Sequence, residues 1–300
     1  GHFHGMHELI WYNHNGVSEE LGGGEVKTTP DTAGFPECFR SVVKTVEYND
    51  ITALENICEK YRGQIACVIL EPISFNCGCY PGRKAYLEQV RALCDRENIV
   101  LIFDEVISGL RLRPGTAQAY YGVTPDLATF AKAIGGTFQL AALCGKEKVM
   151  NCLNPVGKVG MSGTYTASLM PVLAGIECFK MVAEPGFYDM IDAKADYLYG
   201  GINALFEKYG VKGHCRGLGA RFGIFFGVED PEQDMDFRAF TAAYDVAKSR
   251  EFVTKALEKG MYFVDPGNGP APGHAGFGTM HSDEVLAEAM NRMEDIFKTL

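Results

Sequence analysis

From about residue 43 the apolar positions fall into two alternating textures. "IACVILEP" and "IVLIFDEV" are near-continuous apolar runs of strand length, the first stopped by Pro72. Such runs predict strands buried on both faces of a sheet. Between them "GRKAYLEQVRALCDREN" sets Tyr86, Leu87, Val90, Leu93 and Cys94 on one face of a helix. "VVKTVEYND" predicts a short strand entering a turn, and "ITALENICEKYRG" a helix ended at Gly63. "PDLATFAKAIGG" and "LAALCGK" each supply a further strand. Strand, helix and strand in repetition imply right-handed crossovers and a mostly parallel sheet sandwiched by helices. Ligands of such sheets sit beyond the carboxyl ends of the strands.

The texture changes after the glycine-rich "GMSGTYTASLMPVLAGIECFKMV". "FYDMIDAKADYLYGGINALFEKYG" predicts a long helix, "ARFGIFFGVE" alternates like a strand, and "REFVTKALEKG" is a helix stopped at Gly260 and followed by "MYFV". In the last helix Ser282 is the expected N-cap, with Asp283 and Glu284 at the positive end of the dipole. The change predicts a large domain over 1–185 and a smaller C-terminal α+β domain over 186–300.

A chain of 300 residues can bury one large core or two modest ones. Its formal charge of -10 argues against nucleic acid or an anionic membrane as its partner. No apolar window is long enough for a membrane span, and no signal-peptide pattern is visible. Ten cysteines lie between Cys38 and Cys215 without a CxxC pair. That spacing predicts reduced, mostly buried thiols in a cytoplasmic protein. Four of the seven histidines (His2, His4, His7 and His14) crowd the first fourteen residues. They share no ligand spacing with a cysteine pair, so no metal is assigned to them.

Two strand ends carry candidate chemistry. Asp104 and Glu105 close "LIFDEV", and Lys132 ends the apolar stretch of "DLATFAKAIGG". A carboxylate after an apolar strand also fits a Walker B element, but GxxxxGK[ST] is missing: Glu147 follows Gly145–Lys146, and Val159 follows Gly157–Lys158. A lysine at the edge of a core favours its neutral amine, the form that bonds an aldehyde. Asp104 and Lys132 on separate strands, both at the carboxyl edge, have the layout of a pyridoxal phosphate site. The lysine takes the aldehyde carbon, and the aspartate keeps the pyridine nitrogen protonated. Val106 is placed to pack on one face of the ring, and an aromatic is wanted on the other.

"FHG" near the start, "LEPI" with Asn76, "LIFDEVISGLR", "GVTPDLATFAKAIGG" and "SGT" at 162–164 follow one another in a familiar order. Their order and spacing resemble the class III pyridoxal-phosphate-dependent aminotransferases, most of all the glutamate-1-semialdehyde aminomutase branch. The resemblance covers nearly the whole chain. It implies the fold type I architecture of these transferases, with Lys132 as the Schiff-base lysine and proton shuttle. Asp104 would then pair with the pyridinium nitrogen and Val106 pack on the ring. Phe3 would be the stacking aromatic in a loop completed by His4 and Gly5. Thr164 would reach the phosphate of a cofactor in a neighbouring subunit, which implies a homodimer with shared active sites. Glu71 and Asn76 match a loop lining the substrate pocket. The implied activity is transfer of an amino group between an amine or amino acid and a carbonyl compound, in two half-reactions. In an aminomutase both halves occur on one molecule.

Three departures qualify these expectations. The family places a strand, a helix and a phosphate-binding turn before its FHG-type loop, so this sequence is expected to be a fragment or half of a split protein. A catalytically inactive cofactor-binding fragment is therefore a standing alternative. After Thr164 the family commonly has Gly-Asn-Pro, where this chain has Ala167, Ser168 and Leu169. Residues 251–281 hold no arginine for a 2-oxoglutarate carboxylate, and "HAGFG" puts His274 where the aminomutase branch has an acid facing the substrate amino group.

Overall fold

The computed structural model describes residues 1–16, 21–22, 25–114, 116–229, 235–267 and 269–300. The strands are β1 (Cys67–Leu70), β2 (Ile73–Ser74), β3 (Tyr80–Pro81), β4 (Val100–Asp104), β5 (Leu127–Phe130), β6 (Ala142–Gly145), β7 (Gly213–Leu218), β8 (Arg221–Phe226) and β9 (Ala275–Gly276). The helices are α1 (Glu37–Val42), α2 (Ile51–Lys60), α3 (Lys84–Glu97), α4 (Thr116–Tyr121), α5 (Glu147–Met150), α6 (Leu169–Val182), α7 (Phe187–Tyr209), α8 (Phe237–Ala243), α9 (Val246–Glu258) and α10 (Asp283–Phe297). No helix among the described residues is long and apolar enough to cross a membrane.

The chain forms two compact units, one of residues 58–72 with 83–188, the other of 1–57, 73–82 and 189–300. This grouping cuts the chain differently from a division into 1–185 and 186–300.

The first unit holds the sheet β1-β4-β5-β6. β1, β4 and β5 run parallel, and β6 closes one edge antiparallel. The apolar runs and the periodic helix between them produce this layer. α3 lays its buried stripe of Tyr86, Leu87, Val90, Leu93 and Cys94 against β4, where Leu101 and Phe103 are fully buried. Burying each such side chain contributes about 1.5–3 kcal/mol. β1 departs from its expected two-sided burial: only Leu70 is buried, because the strand lies at the other edge of this sheet. Asp126 ties the layer together. Its carboxylate accepts from the Leu101 N–H at 2.8 Å and pairs with Arg91 of α3 and with Lys146, each at 2.8 Å.

The second unit holds the antiparallel sheet β7-β8-β9 and the hairpin β2-β3. The sequence predicts an alternating strand for β8, yet Phe222 to Phe226 are buried throughout, since both faces are covered. The ring of Phe226 lies 5.3 Å from that of Phe206 in α7, 5.5 Å from Phe252 in α9 and 6.1 Å from Phe297 in α10. The Ser282 hydroxyl caps α10 by accepting from the Val285 N–H, as its sequence predicts, and Asp236 and Asp245 cap α8 and α9 in the same way.

One expected strand does not form. At residues 43–47 side chains take the place of a ladder: the Thr45 N–H donates to the Thr28 hydroxyl, and the Thr45 hydroxyl donates to Asn13 Oδ1. The thiols are free, but only half are buried: Cys58, Cys77, Cys79, Cys94 and Cys215.

Candidate functional site

Three neighbouring parallel strands end at one edge of the sheet in the first unit. Leu70 of β1 pairs with Phe103 of β4, and Asp104 of β4 pairs with Thr129 of β5. Glu71, Asp104 and the turn beginning at Lys132 therefore follow one another along the carboxyl edge, where the topology of such sheets puts ligands.

Asp104 is 7% exposed. Its Oδ1 accepts from the Val106 N–H at 3.0 Å and from the Thr129 hydroxyl at 3.3 Å. Two donors on one oxygen fix the plane of the carboxylate, and the same bond holds the backbone of Val106, which is half-buried. Lys132 is exposed and opens a single 3-10 turn, Lys132–Gly135, with φ of 50°. A left-handed lysine costs about 1–2 kcal/mol, and such strain persists where the surroundings enforce it. Here α6 packs on the turn. Gly136 follows with φ of 62°, and a Cβ there would lie 2.9 Å from Cys178 Sγ of α6. The second glycine of "IGG" is thus a backbone requirement of the turn.

Thr164 is exposed in the segment that leads into α6. Ala167 in this segment adopts φ of 57°. The departure from Gly-Asn-Pro thus puts an alanine in a left-handed position that suits glycine. Ser168 precedes α6 without a side-chain capping bond.

Glu105 closes the same strand run beside Asp104, and the sequence assigns it no role of its own. It is fully buried and accepts four hydrogen bonds: from the Ser108 hydroxyl at 3.1 Å, the Thr116 hydroxyl at 2.6 Å, the Ala117 N–H at 2.7 Å and the Gln118 amide at 2.8 Å. It closes the loop that leaves β4 and so braces Asp104 and Val106. The loop carries strain of its own, with Leu110 at φ of 60° and Thr116 at 65°. The only signal in the sequence was the acid adjoining Asp104, which reads equally well as solvated.

The other expected residues lie in the second unit. Phe3 has the rings of Trp11 at 6.3 Å and His14 at 5.1 Å. His4 lies 5.8 Å, edge-on, from His2, whose titration burial pushes well below the usual histidine range, with His4 adding to the shift. Gly5 has φ of 111°. Asn76 and His274 are brought together: both line a cavity of about 230 Å³, with His14, Asn15 and Asp265. Burial also lowers the pKa of His14. Arg221, at the start of β8, reaches His274 from behind, its Nη1 3.3 Å from the ring Nδ1. It too was passed over in the sequence, where it reads as the polar end of an apolar strand.

The family model described as Aminotransferase class-III matches residues 25–297. A glutamate-1-semialdehyde 2,1-aminomutase from Geotalea daltonii is 35% identical over 272 residues, covering 90% of this chain and 62% of that protein. The chain thus spans less than two thirds of that relative's length. Among solved structures, an omega-transaminase from Sphaerobacter thermophilus superposes with a TM-score of 0.85 at 26% identity, over 99% of this chain and 66% of that one. A glutamate-1-semialdehyde aminomutase from Pseudomonas aeruginosa PAO1 superposes with a TM-score of 0.80 at 20% identity, over 98% and 64%. The second of these establishes likeness of fold alone.

Proposed function

Because the chain belongs to the class III aminotransferases, we propose that it serves pyridoxal-phosphate-dependent transfer of an amino group between an amine or amino acid and a carbonyl compound. The observation that carries this reading is the pair of strand ends: an aspartate locked by two donors and a strained lysine, on adjacent parallel strands at the ligand-binding edge. A carboxylate of fixed orientation and an amine on the next strand are the donor set that pyridoxal phosphate needs. When bound, that cofactor supplies an electron sink for the carbanion formed at the substrate carbon.

In this reading Lys132 would hold the cofactor through its Nζ and serve as the proton-carrying base. Asp104 would pair with the pyridinium nitrogen and stabilise its charge. Val106 would pack on the ring, and Phe3, with His4 and Gly5, would supply the stacking aromatic. Thr164 would hold the phosphate of a cofactor in a second subunit. Glu71, Asn76 and His274 would serve the substrate. The proposed homodimer is supported by α6, which exposes Leu169, Met170, Leu173, Ile176, Phe179 and Met181. A contiguous exposed apolar face of this kind marks an interaction surface. Residues 1–185 and 186–300 are assigned to the large and small domains of the complete fold. Free thiols without a disulfide suit a reducing, cytoplasmic setting.

A second reading, intramolecular aminomutation, is favoured by the 35% identity to the Geotalea protein. It predicts isomerisation of a single amino compound with no added carbonyl acceptor.

The site is tested by adding pyridoxal phosphate to the chain and to Lys132→Ala, reading visible absorbance, then reducing with borohydride and mapping the labelled peptide. The proposal expects the label on Lys132 and none in the variant. A band and label unchanged by Lys132→Ala would overturn it.

A further inference from the structure

The turn that carries Lys132 is pressed from one side by α6, and the helix comes close because a side chain is missing. Among the described residues of α6 only Gly175 is buried, and Cys178, one helical turn on, is half-buried. A Cβ at Gly175 would lie 3.1 Å from the Ile134 carbonyl oxygen, in the middle of the turn Lys132–Gly135, and 2.6 Å from Leu140 Cδ2. At the end of the turn Cys178 Sγ fills the space that a Cβ at Gly136 would need. α6 therefore meets the turn between its two left-handed residues, Lys132 with φ of 50° and Gly136 with φ of 62°.

Glycine is a poor helix former, so alanine at 175 would improve α6 as a helix. The glycine serves the close approach instead. Of the two atoms a new methyl would meet, Leu140 Cδ2 is the tip of a flexible side chain and turns aside. The Ile134 carbonyl is backbone and moves only with the turn. The torsion under strain is that of Lys132, and it relaxes first when the support withdraws. The φ of a residue sets the direction in which its side chain leaves the backbone, so relaxation there redirects the amine.

We propose that Gly175 is a positioning residue for Lys132. By letting α6 press on the Ile134 carbonyl it holds the lysine in its left-handed conformation and so aims the amine. The proposal rests on the amino-transfer reading for the role of Lys132 as the Schiff-base lysine, but not for the geometry of the turn.

The test compares the wild-type chain with Gly175→Ala, with Gly175→Ala/Leu140→Val and with Gly200→Ala. Gly200 lies inside α7 with nothing within 4 Å of a Cβ, so its variant carries the helix effect alone. Each is titrated with pyridoxal phosphate, read by visible absorbance across pH, then reduced with borohydride and mapped for label on Lys132. Gly175→Ala weakens imine formation by at least about fivefold and shifts the pH midpoint of the visible band, while Gly200→Ala stays within about twofold of wild type. Leu140→Val lacks the colliding Cδ2, so the double variant regains thermal stability but not the imine, because the Ile134 carbonyl is still displaced. Should Gly175→Ala not fold by itself, the double variant carries the same readout. Acetic anhydride labelling of the cofactor-free chain gives a second measure: the reactivity of Lys132 changes in Gly175→Ala relative to that of the exposed Lys148. Imine formation and acetylation both within about twofold of wild type in folded Gly175→Ala overturn the proposal. So does an imine fully restored by Leu140→Val, which would make Gly175 a packing residue only. A wild-type chain that forms no imine at Lys132 sinks the amino-transfer reading, and the acetylation result then decides the positioning role.

Discussion

Glu105→Ala is expected to be the most damaging single substitution in the sheet unit. The side chain is fully buried and satisfies four donors. Of these, the Ser108 and Thr116 hydroxyls and the Gln118 amide can turn toward other acceptors. The Ala117 N–H is fixed in the buried first turn of helix α4 and cannot. Leaving it unpaired costs about 1–3 kcal/mol, and the lost charge-assisted bonds and the cavity bring the total to about 3–5 kcal/mol. Release of the strain at Thr116 returns about 1 kcal/mol of this. Against a domain stability of about 5–15 kcal/mol the net loss is large. Glu105→Gln should lose less, about 1–2 kcal/mol, because one oxygen still serves Thr116 and Gln118 while an NH₂ opposes the Ala117 N–H. Urea unfolding followed by far-UV circular dichroism measures both. Tryptophan fluorescence would not, since the single Trp, Trp11, lies in the other unit. A cost below about 1 kcal/mol for Glu105→Ala, or equal costs for Ala and Gln, would refute the argument that the four donors depend on this carboxylate.

Other consequences are open to direct measurement. Ala167→Gly should stabilise the chain by about 0.5–1 kcal/mol in thermal unfolding, because φ of 57° suits glycine; a loss of stability would count against strain there. Gly136→Ala should destabilise by about 1–3 kcal/mol and weaken borohydride-fixed labelling of Lys132, since the new methyl meets Cys178 Sγ. Burial pushes the Asp126 carboxyl up, but the bonds from Lys146, the Leu101 N–H and Arg91 outweigh it and hold it below the usual aspartate range. A depressed folded pKa stabilises above the ordinary aspartate value of about 3.9 and is lost as pH falls through the folded value. Stability titrations of wild type and Asp126→Asn should therefore converge below about pH 4 and stay apart at pH 7. In native protein, iodoacetamide should modify the exposed Cys38, Cys144 and Cys152. Cys79 and Cys94, whose thiols burial pushes up to about 12, should react only after unfolding.

Local pattern was enough for whatever depends on neighbours in sequence. The apolar runs ending in Asp104 and before Lys132 dictate two strands. The stripe on α3 dictates the helix that leads into the first of them, and the repeated alternation of strand and helix makes the strands parallel, so both strand ends were legible without coordinates. The Ser282 cap was legible for the same reason, since a capping bond spans three residues. Tertiary structure decided what depends on neighbours far along the chain. β1 became an edge, so its apolar run was only partly buried. Thr45 found side-chain partners at Asn13 and Thr28, and a run of strand-forming residues made no ladder. Glu105 gathered donors from residues 108 to 118 because the loop folded back on it, and no spacing rule anticipates that closure. Arg221 met His274 because β8 and β9 pair across some fifty positions of sequence. Periodicity reports burial within an element, whereas the pairing of charges and donors belongs to surfaces that only folding brings into contact.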